Sequence, residues 1–420
     1  MKTGGGESSL ALWLVFVVVV IDLIGFGIII PILPFLAPKL GGNAVDIAAI
    51  IVVFSLCGAL VTPLWGRLSD RIGRKPVLMI CLTGGALAYA MLGFADELWM
   101  VYLARAFAGV CSGNLPVATA LMADLSPPHR RARAMGLIGT AFGLGLILGP
   151  VVGGVLAGEQ GDFRVPCLFA GFSSLLAVIL GSFLIPREPR NDSGKRDGED
   201  TPAIKVLSSV QLLARDRSQL LVAQYILHTA AVTGALYLYP LWSAAMLDWG
   251  PREVGVFYGV VGIAMVLVQG VLIGPLTTRF GVLPVLKVGM VVFAGSVLAA
   301  VFADEEWLIV TAGFLAFSGS TVCVPILNTV TSLLVSTEER GQMMGITASG
   351  AAVGRVLGPL VTGFVLSVGG FPVGWLAVLV PILLILYWAV TDAKRFARFG
   401  MRDSEPVQKP SPGSADGSGD

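Results

Sequence analysis

Gly66-Arg67-Leu68-Ser69-Asp70-Arg71-Ile72-Gly73-Arg74-Lys75 is a short polar run set between two long apolar ones, and a worn copy follows 208 residues later. The copy reads Gly274-Pro275-Leu276-Thr277-Thr278-Arg279-Phe280-Gly281. Glycine, leucine, arginine and glycine fall in register, while Asp70 is replaced by Thr278. A charged hairpin repeated at half the chain length marks a duplicated bundle. Because only one copy keeps its acid, the two halves are not equivalent.

Composition fixes the solvent. The 420 residues are 55% hydrophobic and 13% charged, with a mean hydropathy of +0.84. A soluble chain would carry roughly 25% charged residues, so this one is built for lipid. A net charge of +1 gives no basis for a nucleic-acid partner. The five cysteines (Cys57, Cys81, Cys111, Cys167, Cys323) lie in or beside apolar runs without a C-x-x-C pair. They read as small hydrophobes between helices, not as metal or redox ligands. No cofactor or metal is expected, and no G-x-x-x-x-G-K-[ST] phosphate loop occurs.

Crossing a bilayer as helix takes about 20 apolar residues. Twelve runs qualify, near 10–37, 45–65, 76–95, 98–123, 134–157, 166–186, 218–246, 253–274, 282–302, 307–334, 341–368 and 372–392. The first is too long for a signal-peptide core and reads as a retained span. The expected fold is all-α: two pseudo-symmetric six-helix bundles, 1–186 and 218–393. A polar linker, 187–217, joins them, and a Ser/Gly/Pro/Asp-rich tail, 394–420, is expected to be disordered. Within the linker, 204–213 reads as a short amphipathic surface helix. With the N-terminus in the cytoplasm, all 28 Lys and Arg lie in cytoplasmic segments except Lys39, Arg164, Arg252, Arg105 and Arg355. The positive-inside rule therefore places both termini in the cytoplasm.

The repeat extends further. At an offset of 209, Arg131, Met135, Gly136, Gly145, Gly149, Pro150 and Gly154 fall on Arg340, Met344, Gly345, Gly354, Gly358, Pro359 and Gly363, and Pro116 falls on Pro325. Parallel six-helix repeats are a known plan for secondary transporters.

Four motifs now converge. They are G-x-L-x-D-R-x-G-R-K at 66–75, Arg105 with Gly109 in the fourth run, and Gly145-x-x-x-Gly149-Pro150-x-x-Gly153-Gly154 in the fifth. Asp22-x-x-Gly25-x-Gly27-x-x-x-Pro31-x-Leu33-Pro34 in the first run completes the set. With them the chain resembles the major facilitator superfamily, and within it the twelve-helix drug:proton antiporters, including the tetracycline-efflux group. The resemblance implies a non-enzymatic, monomeric transporter of the bacterial inner membrane. It would exchange a small organic molecule outward for protons by alternating access. A proton-coupled importer of a nutrient or metabolite shares the fold and remains open.

The resemblance also distributes roles. Asp70, Arg74 and Asp124 would form a charge network that closes the cytoplasmic side in the outward-facing state. Asp70 would accept from the N-terminus of the eleventh helix near Gly341, where the helix dipole favours an anion. Gly66 and Gly73 allow a tight turn and close approach; with Arg71 they belong to the same cytoplasmic gate, although positive charge as a topology anchor also accounts for Arg67, Arg71 and Lys75. Arg105 would couple to protons, and its repeat position holds Phe314; the alternative is an arginine bonded to backbone carbonyls. Gly145, Gly149, Pro150, Gly153 and Gly154 form the antiporter signature, with small residues for close packing and a proline kink.

Other positions are read from chemistry. Asp22 lies about twelve residues into the first run, close to the midplane at 1.5 Å per residue. Loss of water disfavours the ionised form of any carboxylate, which makes Asp22 a candidate proton carrier; an ion pair with Arg105 or Arg355 competes. Arg355, where the first half has Leu146, would pair with Asp22 or bind an anionic group of the substrate. His228 would join a proton relay or hydrogen-bond at a helix interface. Tyr237 and Trp242 are candidate cavity residues. One departure stands out: the tetracycline group has an acid before the tyrosine of the third helix, and this chain has Ala88 before Tyr89. The ninth run also lacks that group's acid.

Overall fold

The computed structural model describes residues 4–126, 131–158, 161–185, 212–213, 216–334 and 339–391. Almost all of the 187–217 connector, the 394–420 tail and His129 lie outside the described residues. The chain forms α1 (Gly4–Lys39), α2 (Ala44–Ile72), α3 (Arg74–Gly93), α4 (Leu98–Val110), α5 (Asn114–Asp124), α6 (Arg131–Ala157) and α7 (Arg164–Leu184). The second half follows with α8 (Asp216–Leu247), α9 (Pro251–Leu267), a π-helical turn (Val268–Leu272), α10 (Ile273–Phe280) and α11 (Val282–Val301). It ends with α12 (Glu306–Ser320), α13 (Cys323–Leu334) and α14 (Arg340–Thr391).

Among the described residues, eleven helical stretches are long and apolar enough to cross a membrane. The last contains two spans, because α14 reverses at Gly370 in a left-handed conformation, φ 72°. Twelve spans result, as the sequence predicts. The fourth is broken into α4 and α5, and the tenth into α12 and α13, at repeat-related positions.

Local chemistry sets the boundaries. The second span starts at a capping box, in which Asn43 Oδ1 accepts from the Val45 and Asp46 amides and Asp46 returns the bond to Asn43. The eighth starts similarly, with Glu253 accepting from the Gly250 amide. Both copies of the charged hairpin turn on a left-handed glycine, Gly73 at φ 101° and Gly281 at φ 87°. A residue with a Cβ is strained there, which explains why the worn copy kept its glycine while losing its acid.

Glycines place the helices. A Cβ on Gly27 would sit 2.4 Å from Gly145 O, and one on Gly149 would sit 2.5 Å from Gly27 Cα. The fifth span therefore lies backbone to backbone on the first. Its repeat copy does the same: Gly354 and Gly358 meet Ile226 O and Ala230 O of the seventh. The halves join through the same helices. Gly154 meets Pro251 and Gly255 of the eighth span, and Gly363 meets Ala48 of the second. Large apolar side chains such as Phe183, Phe302 and Val368 stand 73–84% exposed. In water such a surface would be a liability, and in a bilayer it is the lipid face.

The two ends of the molecule differ. At the Lys39 end the halves are sealed: the Tyr237 hydroxyl of the second donates to Ala44 O of the first at 2.6 Å, while within the first half Lys39 donates to Gly161 O at 2.9 Å. Toward the hairpin end they part. The fifth-span face that packs on the eighth reaches its last such contact at Gly143, where a Cβ would meet Val266 at 3.4 Å. One and two turns further on, Gly139 and Gly136 face open space, as do Gly270 and Gly274 opposite them. Gly66 and Gly345, at the corresponding end of the second and eleventh spans, also face open space. A cavity between the halves thus opens at the hairpin end.

Candidate functional site: a buried acid and the hairpin end of the cavity

Asp22 is 7% exposed, halfway along α1. Its carboxylate accepts from the Asn114 amide nitrogen. Asn114 opens α5, directly after the break in the fourth span. That break is built: a Cβ on Gly113 would meet Trp65 at 2.5 Å, so only glycine admits the indole. Trp65 Nε1 then donates to Val110 O at 2.6 Å, satisfying a carbonyl that the interrupted helix leaves without a partner. The second span thereby fixes the kink, and the kink presents Asn114 to Asp22. Neither Asn114 nor Trp65 is singled out by sequence. The signal was the Gly109-Val110-Cys111-Ser112-Gly113-Asn114 cluster, too rich in small and polar residues for an uninterrupted span.

Arg105 is 6% exposed and its guanidinium carbon stands 4.3 Å from the centroid of Phe54. This cation–π contact replaces the carbonyl bonds that a purely structural arginine would make, and its Nε has no hydrogen-bond partner. Phe54 in turn lies against Phe26. Ion pairs join Arg74 to Asp70 and Asp124, and Arg164 to Asp96. Asp22 therefore pairs with neither Arg105 nor Arg355 in this structure. Sequence position explains the first: Arg105 lies in α4, nine residues before Asn114 and on the other side of the break in the fourth span.

At the hairpin end, Arg74 is a hub. Its Nη1 reaches Asp70 at 2.7 Å and Ser69 Oγ at 2.7 Å, and its Nε reaches Asp124 at 3.1 Å. Arg67 and Arg71 are exposed, and Lys75 donates to Ser182 O. Asp70 is paired with Arg74 and stays 62% exposed, without a bond to the start of the eleventh span. The reason is the splay of the halves at this end. The charge network is assembled while the cavity is open, so its assembly alone does not close it.

The glycine signature works on two faces. Gly145, Gly149, Gly153 and the Pro150 ring meet the first span at Leu23, Gly27 and Ile28, whereas Gly154 and the Pro150 carbonyl meet the eighth. Other candidates take quieter positions. His228 is 5% exposed with Nδ1 unpartnered, and Gln224 Oε1, one turn earlier, is unpartnered too. Tyr237 and Trp242 are buried and do not face the opening. Tyr237 bonds across the sealed end, and Trp242 packs edge-on to Trp375 at 5.1 Å. Tyr239, Phe257, Tyr258 and Phe317 form a further packed aromatic group in the second half. The five cysteines are free thiols, four of them buried.

These features have counterparts in known proteins. The family model "Major Facilitator Superfamily" matches residues 15–272 and 247–413. Among curated proteins, the chain is 30% identical to the class E tetracycline resistance protein of Escherichia coli, over 84% of this chain and 86% of that one. It is 26% identical to the quinolone resistance protein NorA of Staphylococcus aureus (strain COL), over 82% and 87%. Among solved structures, a bacterial homolog to the human lysosomal transporter Spinster, inward-facing and occupied, superposes with a TM-score of 0.77 at 15% identity, covering 93% of this chain and 98% of that one. The duplicated hairpin, the paired glycine faces and the cavity between two six-helix halves are therefore those of a membrane transporter, and the chain belongs to the major facilitator superfamily.

Proposed function

We propose that the protein exports small organic molecules in exchange for protons. The observation that carries this reading is Asp22: a buried carboxylate in mid-span, held by a neutral amide and not by a cation. A carboxylate so placed binds and releases a proton without first breaking an ion pair. The drug-resistance proteins among the relatives support outward movement. The positive-inside rule puts the hairpin end, the linker and both termini in the cytoplasm. The structure is then the inward-open state, with the first bundle (1–186) and the second (218–393) rocking about the seal near Tyr237. Asp70, Arg74 and Asp124 hold the cytoplasmic latch, and Arg105 supports coupling from the same half. We take the working unit to be one chain in the bilayer, with protons and an organic substrate as its partners.

The driving force is adequate. A proton crossing 100 mV releases about 2.3 kcal/mol, which sustains roughly a fifty-fold gradient. Ala88, 2% exposed beside Tyr89, leaves the third span without an acid, so the substrate class extends beyond metal–tetracycline complexes. Everted vesicles test the reading. Acidifying their lumen drives accumulation of ethidium or tetracycline if the protein exports. Uptake only into right-side-out vesicles identifies an importer, and dependence on ATP excludes proton exchange.

A further inference from the structure

Arg355 is a charge in the middle of the eleventh span, and the helix geometry shows where it points. Val353, Leu357, Leu360 and Phe364 are 38–66% exposed and form one stripe, the lipid face of that span. At 3.6 residues per turn, Arg355 projects about 170° away from it. Gly350, Gly354 and Gly358 mark the side packed on the seventh span, and Gly363 marks the side meeting the second. Arg355 emerges between those two contacts, toward the space between the halves. It is exposed there, and no carboxylate among the described residues pairs with it.

The repeat sets its depth. Arg355 corresponds to Leu146, whose neighbour Gly145 packs on Leu23, the residue after Asp22. Arg355 therefore stands on the opposite wall of the cavity at the level of Asp22. A guanidinium in mid-membrane costs about 2.5–3.5 kcal/mol on insertion scales. Facing the open cavity spares Arg355 that cost, and in-span charges placed on a water-accessible path mark the route of a substrate or ion. A planar fork of donors matches a carboxylate in two parallel hydrogen bonds.

We infer that Arg355 is a substrate-binding residue that selects organic molecules carrying a carboxylate or a like-shaped anionic group. The inference rests on the transporter reading above, since it needs the cavity to be the substrate path. The anion seats on the second-half wall, while Asp22 titrates separately on the first.

Binding decides it, with the full chain in lipid nanodiscs and two probes that share a fluorophore: dansylglycine, a carboxylate, and dansylglycinamide, its neutral amide. The native chain is expected to bind dansylglycine about tenfold more tightly, as a charge-assisted bidentate contact implies. R355Q is expected to bind the two equally, and R355K, which keeps the charge, to retain a reduced preference. Equal affinities in the native chain, no binding of dansylglycine, or an unchanged preference in R355Q overturns the inference. Should R355Q fail to fold, the native comparison and R355K decide. Gradient-driven export is scored separately in vesicles. Intact export without a carboxylate preference therefore removes only this inference and leaves the proposed function standing.

Discussion

Asn114 donates its side-chain amide to the Asp22 carboxylate across the first and fourth spans. The bond links the acid to the fourth span, whose helix is interrupted just before Asn114. Asp22→Asn is expected to abolish transport driven by a pH gradient while leaving substrate-for-substrate counterflow in proteoliposomes. Loss of counterflow as well would assign Asp22 to substrate binding or folding. Asn114→Ala is expected to slow gradient-driven transport roughly tenfold, the scale of one hydrogen bond to a charged group.

Arg74 binds two acids, but Asp70 and Asp124 are 62% and 50% exposed. Arg74 itself is 22% exposed and also holds buried Ser69, so Arg74→Ala should lower stability in detergent by about 1 kcal/mol, the upper end for partly exposed pairs. Transport is expected to fall at least tenfold, because the latch works on the closed state. Arg67→Ala, which removes an exposed anchor of the same hairpin, should keep most of the rate. Equal losses in both variants would reduce the hairpin to a topology signal.

Glycines along the fifth span should respond by position. Gly149→Ala pushes a Cβ to 2.5 Å from Gly27 Cα, and overpacking of this kind costs about 1–3 kcal/mol. Gly139 faces open space here, so Gly139→Leu should leave thermal stability unchanged. Closing the hairpin end brings the same face against the eighth span, and the leucine then obstructs it. Gly139→Leu is expected to stop transport with the chain held open at that end, read as persistent thiol labelling of an added cysteine in the cavity.

Tyr237 carries a bond between the halves at the sealed end. Tyr237→Phe keeps the ring and removes the donor to Ala44 O, a change of about 0.5–1.5 kcal/mol. The population open at the Lys39 end should rise several-fold. Pulsed electron resonance distances between labels at Asn43 and Asp248 would report it, and an unchanged distribution would show the bond to be incidental.

Much of this was legible beforehand because a bilayer imposes coarse rules. Backbone groups in lipid must bond within their own segment, so twelve apolar runs became twelve spans. The left-handed requirement at Gly73 and Gly281 preserved the repeat marker through divergence. What sequence hid follows from the same chemistry. Spans are apolar on every face, so periodicity does not separate lipid-facing from packed aromatics, and Tyr237 and Trp242 read as cavity residues although both are buried. The fourth span read as one helix because its break is stabilised by Trp65, 45 residues away. The open hairpin end was also invisible, because no residue type in the sequence records which end of the two halves is apart.

The fifth span touches its own half with Gly145, Gly149 and Gly153 and the other half with Gly154 and the Pro150 carbonyl. Where backbone meets backbone, there are no side-chain rotamers to exchange when the angle between helices changes. At Gly154 the joint between the halves therefore behaves as a bearing, while Val151 and Ile147 of the fifth span seat against Gly259 and Gly262 of the eighth further along. Its glycines keep the path between conformations smooth, and a single methyl group there would roughen the motion before it loosened the fold.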